Sequence, residues 1–335
     1  MVVARPGAAV TWPAPVVFFG SPAFAVPSLE ALAADARFDV RLAVTQPPKP
    51  VGRGGRMMRS AVHEVAERLG IPVWTPERLR GAAALERLRE QGATLHVVAA
   101  YGKILRRDVL DIPARGTLNV HASLLPAYRG ASPITAAILD GAETTGVTIM
   151  LLDEGLDTGP MLGRASLVIS QQETTPTLTE RLATVGASLL VEAAVRWLAG
   201  EIEPEAQDDS HVTHTRTLTK EDGQVDFVQS PERLARMERA YTPWPGVYTF
   251  LDGKRLILRD LAAEARRDDA PAVTTTAVTT TNGTIVAVDG RGLHVAAGGG
   301  ILRVGAVQPE GKAAMPATAF AAGRRGLVGM RLGPA

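Results

Sequence analysis

The 335-residue chain contains no cysteine. That excludes a disulfide framework and thiolate chemistry, and it suits a reducing compartment. Net charge is nearly absent as well, at a formal +1, so no global field advertises a partner. No apolar run approaches the ~18–20 residues that a membrane span needs. The opening stretch MVVARPGAAVTWPAP holds one arginine, three prolines and no sustained apolar core. It reads as an N-terminal extension and not as a secretory signal. A cytoplasmic protein is the expectation. What is present is ordinary for a globular chain: 46% hydrophobic and 21% charged residues, in a length that accommodates two domains.

The first two-thirds of the chain alternates strand-like and helix-like patterns. PVVFFG (15–20), FDVRLAVTQ (38–46), IPVWTP (71–76), ATLHVVAAYG (93–102), GTLNVHASL (116–124) and TGVTIMLLD (145–153) are apolar or β-branched runs bounded by turn residues. Between them, 28–36, 61–70, 77–92 and 132–141 carry helical spacing, and a long helix is expected over 177–200. Such alternation predicts βαβ units and a doubly wound, mostly parallel α/β sheet covered on both faces. Ligands of such sheets bind outside the carboxyl ends of the strands. Residues 206–216 are polar and read as a linker. From 217 to 335 one helix (230–240) precedes short strands punctuated by Asp252-Gly253, Asp289-Gly290 and Gly298–Gly300, a pattern that predicts a small antiparallel barrel or sandwich. The run AVTTTAVTTTNG (272–283) reads as an exposed loop. Residues 209–335 hold 16 basic and 13 acidic side chains, so this second domain is the one expected nearer a polyanion.

One polar pair interrupts an apolar strand in NVHASLLPAYRG (119–130). Positions two apart on a strand share a face, so Asn119 and His121 lie about 6–7 Å apart on the same side. An amide donor and an imidazole at that spacing can flank a reacting carbonyl, although a polar pair that simply caps a strand end has the same spacing. The loop DEGLDTGP (153–160) follows the next strand and supplies Asp153, Glu154 and Asp157. If the two strands are neighbours, their carboxyl ends bring this loop beside His121. There an acid can orient the imidazole, favour its charged form or relay a proton, although a solvated turn has the same composition; spacing alone does not choose among the three acids. No spacing of the acids or of the scattered His63, His96, His211, His214 and His294 matches a metal set, and His211 and His214 are expected to be solvated.

A second unusual stretch is TQPPKPVGRGGRMMRS (45–60), with no acid between Asp39 and Glu64. It is too rich in Pro and Gly for helix or strand. Lys49, Arg53, Arg56 and Arg59 can meet phosphates, or can form a solvated basic loop. In YTPWPGVY (241–248), prolines on both sides of Trp244 form a stiff corner suited to packing, with base stacking as the alternative.

Taken together, NVHASLLPAYRGASPI (119–134) and GVTIMLLDEGLDTGPML (146–162) resemble the signature of the folate-dependent formyltransferases. FFGSPAFAVPSLEAL (18–32), residues 45–76, VVAAYGKIL (97–105), LTKEDGQVDF (218–227), AYTPWPG (240–246) and VQPEGKAAM (307–315) resemble the initiator-tRNA branch of that family. The resemblance runs from about residue 15 to about 330. It implies a catalytic formyltransferase domain over 14–205, the linker, and a C-terminal oligonucleotide-binding-type barrel over 217–335. It implies Asn119, His121 and Asp157 as the catalytic set. Folate would be contacted at Ser123, Leu124, Leu125, Pro126, Tyr101 and Gly102. The basic loop 46–60, with Lys49, Arg53, Arg56 and Arg59, would reach the tRNA. The activity so implied moves a formyl group from 10-formyltetrahydrofolate to methionyl-initiator tRNA for translation initiation, in a monomer with no metal and no membrane. Two alternatives remain at this level: a formyltransferase for a sugar-nucleotide amine, which needs no basic loop, and a noncatalytic RNA-binding module, which leaves Asn119, His121 and Asp157 idle. The N-terminal extension and the threonine-rich insertion at 274–281 depart from the family pattern.

Overall fold

A computed structural model describes residues 10–51, 55–264 and 281–333. Arg53, most of the threonine-rich insertion and the first nine residues lie outside them. The chain forms two compact units. The first comprises Met1–Pro133, Thr144–Val168 and Leu178–Arg216; the second comprises Ile134–Glu143, Ile169–Thr177 and Thr217–Ala335.

The first unit is built on β1 (Ala14–Gly20), β2 (Phe38–Val44), β5 (Val73–Trp74), β6 (Leu95–Ala99), β7 (Thr117–His121), β9 (Thr144–Leu151) and β10 (Met161–Val168). They form a seven-stranded sheet in the order β10-β9-β7-β6-β1-β2-β5. The five strands from β7 to β5 pair in parallel. Their side chains are buried on both faces where the sheet is central, as Val16, Val17, Phe18 and Phe19 show. The remaining pairs are antiparallel: β7 with β9, and β9 with β10.

Helices α1 (Val26–Ala34), α2 (Ala61–Arg68), α3 (Ala82–Arg89) and α4 (Arg107–Leu110) follow the strands; α5 (Pro133–Asp140) falls almost wholly in the second unit, and α6 (Thr175–Ala199) returns to the first from Leu178 on. The helix expected over 77–92 begins later than its spacing suggests, because Gly81 before α3 has φ +88°, a left-handed conformation outside helical geometry. Helix α6 is long and apolar enough, by length and composition, to cross a membrane, contrary to the expectation of no such run. Half of that apolar window is buried in the protein. Its Gly186 lies so close to β7 and β9 that an added Cβ would stand 3.0 Å from a Val120 methyl and 3.3 Å from one of Val147.

The basic stretch is not free of regular structure. Strands β3 (Lys49–Val51) and β4 (Arg56–Met58) pair antiparallel, Lys49 opposite Met58 and Val51 opposite Arg56. Nor is 206–216 a bare connection: β11 (His214–Thr215) pairs in parallel with β8 (Arg129–Gly130), and Glu205 bridges to Met161.

In the second unit α7 (Pro231–Ala240) starts at Ser230, whose hydroxyl accepts from Arg233 N, with Pro231 in the first turn. Strands β12 (Tyr248–Leu251), β13 (Lys254–Glu264), β14 (Ile285–Asp289), β15 (Gly292–Ala297) and β16 (Gly300–Pro309) form an antiparallel sheet in the order β12-β13-β16-β15-β14, with β17 (Met315–Pro316) on β16 and α8 (Ala317–Ala322) after it. The terminal segment joins the two edges of this sheet. Ile285 N donates to Met330 O, Leu332 N to Gly283 O, and Gly333 N to Phe250 O. Edge strands with paired backbone groups no longer offer a template for stray pairing. Trp244 does not pack as expected: it is 54% exposed, while its neighbours Tyr241, Val247 and Tyr248 take the buried positions.

Candidate active site

Strand β7 carries the polar pair between two apolar neighbours. Asn119 sits opposite Val98 of β6 and Met150 of β9, and His121 opposite Thr148. Asn119 is half-buried; His121 is 6% exposed. His121 Nε2 lies 3.1 Å from Tyr128 O. A carbonyl only accepts, so Nε2 carries a hydrogen and donates it. That bond orients the ring and leaves Nδ1 facing Asp157 Oδ2 at 3.6 Å.

The route by which Asp157 arrives differs from the expected one. Because β9 runs antiparallel to β7, its last residue, Leu151, pairs with Leu118 near the start of β7 and not with His121. The carboxyl ends of the two strands are therefore at opposite ends. The loop after β9 turns back instead, and Leu151 N donates to Pro160 O where it closes. Asp157, at φ +55°, extends its carboxylate to Gly130 N, which donates to Oδ2 at 2.8 Å. Left-handed backbone at a non-glycine residue costs free energy that surrounding contacts must offset. Tyr128, on the other side of His121, shares it at φ +59°.

Of the three acids, Asp157 is the one beside His121. Asp153 Oδ1 accepts from Gly155 N and the Thr158 hydroxyl, which shapes the turn. Glu154 faces Arg107 at 3.6 Å.

The turn after β7 is held from within. Thr148 Oγ1 donates to Ser123 O at 2.7 Å and accepts from Leu125 N at 3.1 Å, and Ser123 Oγ donates to Ala127 O at 2.6 Å. Leu125 packs with Met150 and Met161. The side chains of Ser123 and Leu125 are thus committed to the fold, while Leu124 and Pro126 stay half-buried. Tyr101 and Gly102 follow β6, the neighbour of β7. The Tyr101 ring is buried, which pushes its phenol up to about 12. Its carbonyl accepts from Gln46 Nε2 at 2.8 Å. Gly102 has φ +76°, and an added Cβ there would meet that same Gln46 amide. Gln46 leads into the hairpin of β3 and β4, where Lys49 and Arg56 are exposed. Arg59 is exposed too, but its guanidinium pairs with Glu67 at 2.6 Å.

Three residues beside the site carry no signal that spacing could reveal: Arg129, Thr148 and Gln207. Arg129 is 5% exposed, and burial of a guanidinium demands partners. Gln207 and Asp209 supply them. Both come from the stretch that composition alone marks as a linker. Among the described residues no group of three His, Asp or Glu side chains could hold a metal ion.

Residues 14–194 match the family model described as "Formyl transferase", and residues 217–325 match "Formyl transferase, C-terminal domain". The chain belongs to the formyl transferase family. Within that family it is similar over nearly its whole length to the methionyl-tRNA formyltransferase of Roseiflexus sp. (strain RS-1), with 45% identity over 96% of each chain. It is 40% identical to that of Geotalea daltonii (strain DSM 22248 / JCM 15807 / FRC-32), over 95% of this formyl transferase and 98% of the relative. Solved structures share the fold at lower identity. An N-formyltransferase from Helicobacter canadensis, in complex with folinic acid and dTDP-3-aminofucose, superposes with a TM-score of 0.63 at 16% identity, covering 88% of this chain and 99% of that one. HypX from Aquifex aeolicus, in complex with tetrahydrofolic acid, gives 0.55 at 15% identity, with 91% of this chain covering 46% of HypX.

Proposed function

We propose that this protein transfers a formyl group from 10-formyltetrahydrofolate to the α-amino group of methionyl-initiator tRNA, in the cytoplasm and as a single chain. The carrying observation is the approach of Asp157 Oδ2 to His121 Nδ1 on the strand that also bears Asn119. The relatives' names supply the acceptor. The sugar-nucleotide alternative is not favoured: the sugar formyltransferases among the solved structures are 14–17% identical and speak to fold alone.

The acceptor attacks as a free amine, and an α-amino group with a pKa near 7.7–8 keeps a usable neutral fraction at cell pH. Its nitrogen bonds to the formyl carbon, and the carbonyl oxygen becomes an oxyanion. The Asn119 amide and the charged form of His121 stabilise that oxygen; one such donor commonly supplies ~3 kcal/mol. The 3.6 Å gap between Nδ1 and Oδ2 exceeds a hydrogen bond, so Nδ1 is not committed to the carboxylate and can turn to the reacting group. Asp157 supports the imidazolium and relays the proton lost by the amine. The C–N10 bond then breaks, and N10 leaves with a proton as a neutral amine. The turn 123–126 with Tyr101 and Gly102 receives the folate. Lys49, Arg53, Arg56 and Arg59 meet tRNA phosphates, and residues 217–335 extend that contact.

The test incubates the protein with 10-formyltetrahydrofolate and methionyl-tRNA and looks for formylmethionine. His121→Ala and Asp157→Asn should each lower kcat by roughly 10²–10⁴. Parental turnover by a folded Asp157→Asn protein removes Asp157 from the mechanism.

A further inference from the structure

The Asp157 carboxylate is aimed by its main chain, and that main chain is held by residues far away in sequence. Gln207 Nε2 donates to the carbonyl oxygens of Asp157 and Gly159, each at 2.8 Å. Gln207 Oε1 accepts from Arg129 Nε at 3.0 Å and from an Arg129 terminal nitrogen at 2.7 Å. The amide can sit only one way round, because a guanidinium only donates and a carbonyl only accepts. All four hydrogen bonds therefore agree on one rotamer. Arg129 is itself pinned: it is 5% exposed, donates to Asp209 at 2.9 Å and lies in the short β8–β11 pairing. The next residue, Gly130, donates to Asp157 Oδ2, and a Cβ at Gly130 would run into Thr215 O. The Asp157 loop is thus gripped at its carbonyls by Gln207 and at its carboxylate by Gly130.

We infer that Gln207 is a positioning residue for formyl transfer, resting on the catalytic reading of Asp157. Its amide locks the left-handed backbone of Asp157, and that backbone sets how far the carboxylate stands from His121. Arg129 in turn holds the Gln207 amide. With the amide gone, the loop loses two of its anchors and the disfavoured φ at Asp157 relaxes. Misplacement of a catalytic group by about 1 Å can cost ~10²-fold in rate.

Two variants separate the halves of the amide. Gln207→Leu removes both. Gln207→Glu keeps an acceptor for Arg129 but has no donor for the two carbonyls. In steady-state formylation both should lower kcat roughly 10–100-fold and leave KM for tRNA and for the folate within about two-fold. A double-mutant cycle distinguishes positioning from general loosening. Gln207→Leu added to Asp157→Asn should cost nothing more, because the effect runs through the carboxylate. Parental kcat in Gln207→Leu, or losses that multiply in the double variant, overturns the inference. Parental turnover in Asp157→Asn alone would instead bring down the catalytic reading. Should Gln207→Leu fail to fold by circular dichroism, Arg129→Lys, which keeps the charge and loses the fork, carries the same cycle: no added cost supports the inference and multiplied losses overturn it.

Discussion

Two histidines of the same sheet show what decides whether an imidazole can act. His121 is oriented by a carbonyl on one nitrogen and faces a carboxylate with the other. His96, one strand away on β6, is fully buried with its ring edge-on to Phe19, and neither nitrogen has a hydrogen-bond partner among the described residues. Burial without a partner disfavours the charged form and pushes His96 down to about 3. The folded protein therefore keeps His96 neutral, whereas the unfolded chain takes up a proton near pH 6.5. Stability tied to His96 is complete above pH 6.5 and is lost as pH falls from there towards 3. Between pH 7.5 and 5.5 that loss is about 1.4 kcal/mol. Urea unfolding of the parent and of His96→Leu at these two pH values should show it: the variant's stability should depend less on pH by that amount. Equal pH dependence would mean that His96 is not buried uncharged.

At the scale of elements, the site depends on how β7 is clasped by its neighbours. Helix α6 lies over β7 and β9 at Gly186, where methyls of Val120 and Val147 occupy the space that a Cβ would need. Val120 stands between Asn119 and His121, so pressure there is transmitted to the polar pair. Gly186→Leu should overpack this contact, destabilise the first unit by about 1–3 kcal/mol and lower kcat along with the urea midpoint. An unchanged midpoint would show that α6 shifts away freely. Most elements were legible from period-two and period-3.6 patterns: β1, β2, β6, β7, α5, α6 and α7 fall where the spacing puts them. The hairpin of β3 and β4 was not, because Pro50 and the glycines around it suppress strand propensity while the pairing of Lys49 with Met58 overrides it. The direction of β9 was not legible either, since an apolar run reads the same in both directions.

For the whole molecule the question is how a chain of net charge +1 holds a polyanion. Charge must be local, and the β3–β4 hairpin concentrates it: Lys49 and Arg56 are exposed beside the exposed Met57 and Met58. Removing one cation that meets a phosphate should change the salt slope of tRNA binding by about 0.7–0.9. Arg56→Ala should show that reduction in a filter-binding titration across salt, with kcat preserved at saturating tRNA. Arg59→Ala should change the slope less, because Arg59 already has Glu67 as a counter-charge at 2.6 Å. An unaltered slope for Arg56→Ala would make the hairpin a solvated loop.

Chain order alone set the succession of strands and helices, the switch to short β-strands after about residue 217, and the face shared by Asn119 and His121. These are local properties: side-chain period and turn chemistry need no knowledge of distant partners. Motif resemblance added the set Asn119, His121 and Asp157. Tertiary structure alone singled out Asp157 geometrically from Asp153 and Glu154, turned β9 against β7, exposed Trp244, and drew Gln207 from a polar connecting stretch to the carbonyls of the Asp157 loop. Each of those outcomes depends on which distant groups satisfy a buried donor or acceptor. That choice is made by the assembled fold, because an unpaired polar group is costly only once the surrounding chain has excluded water.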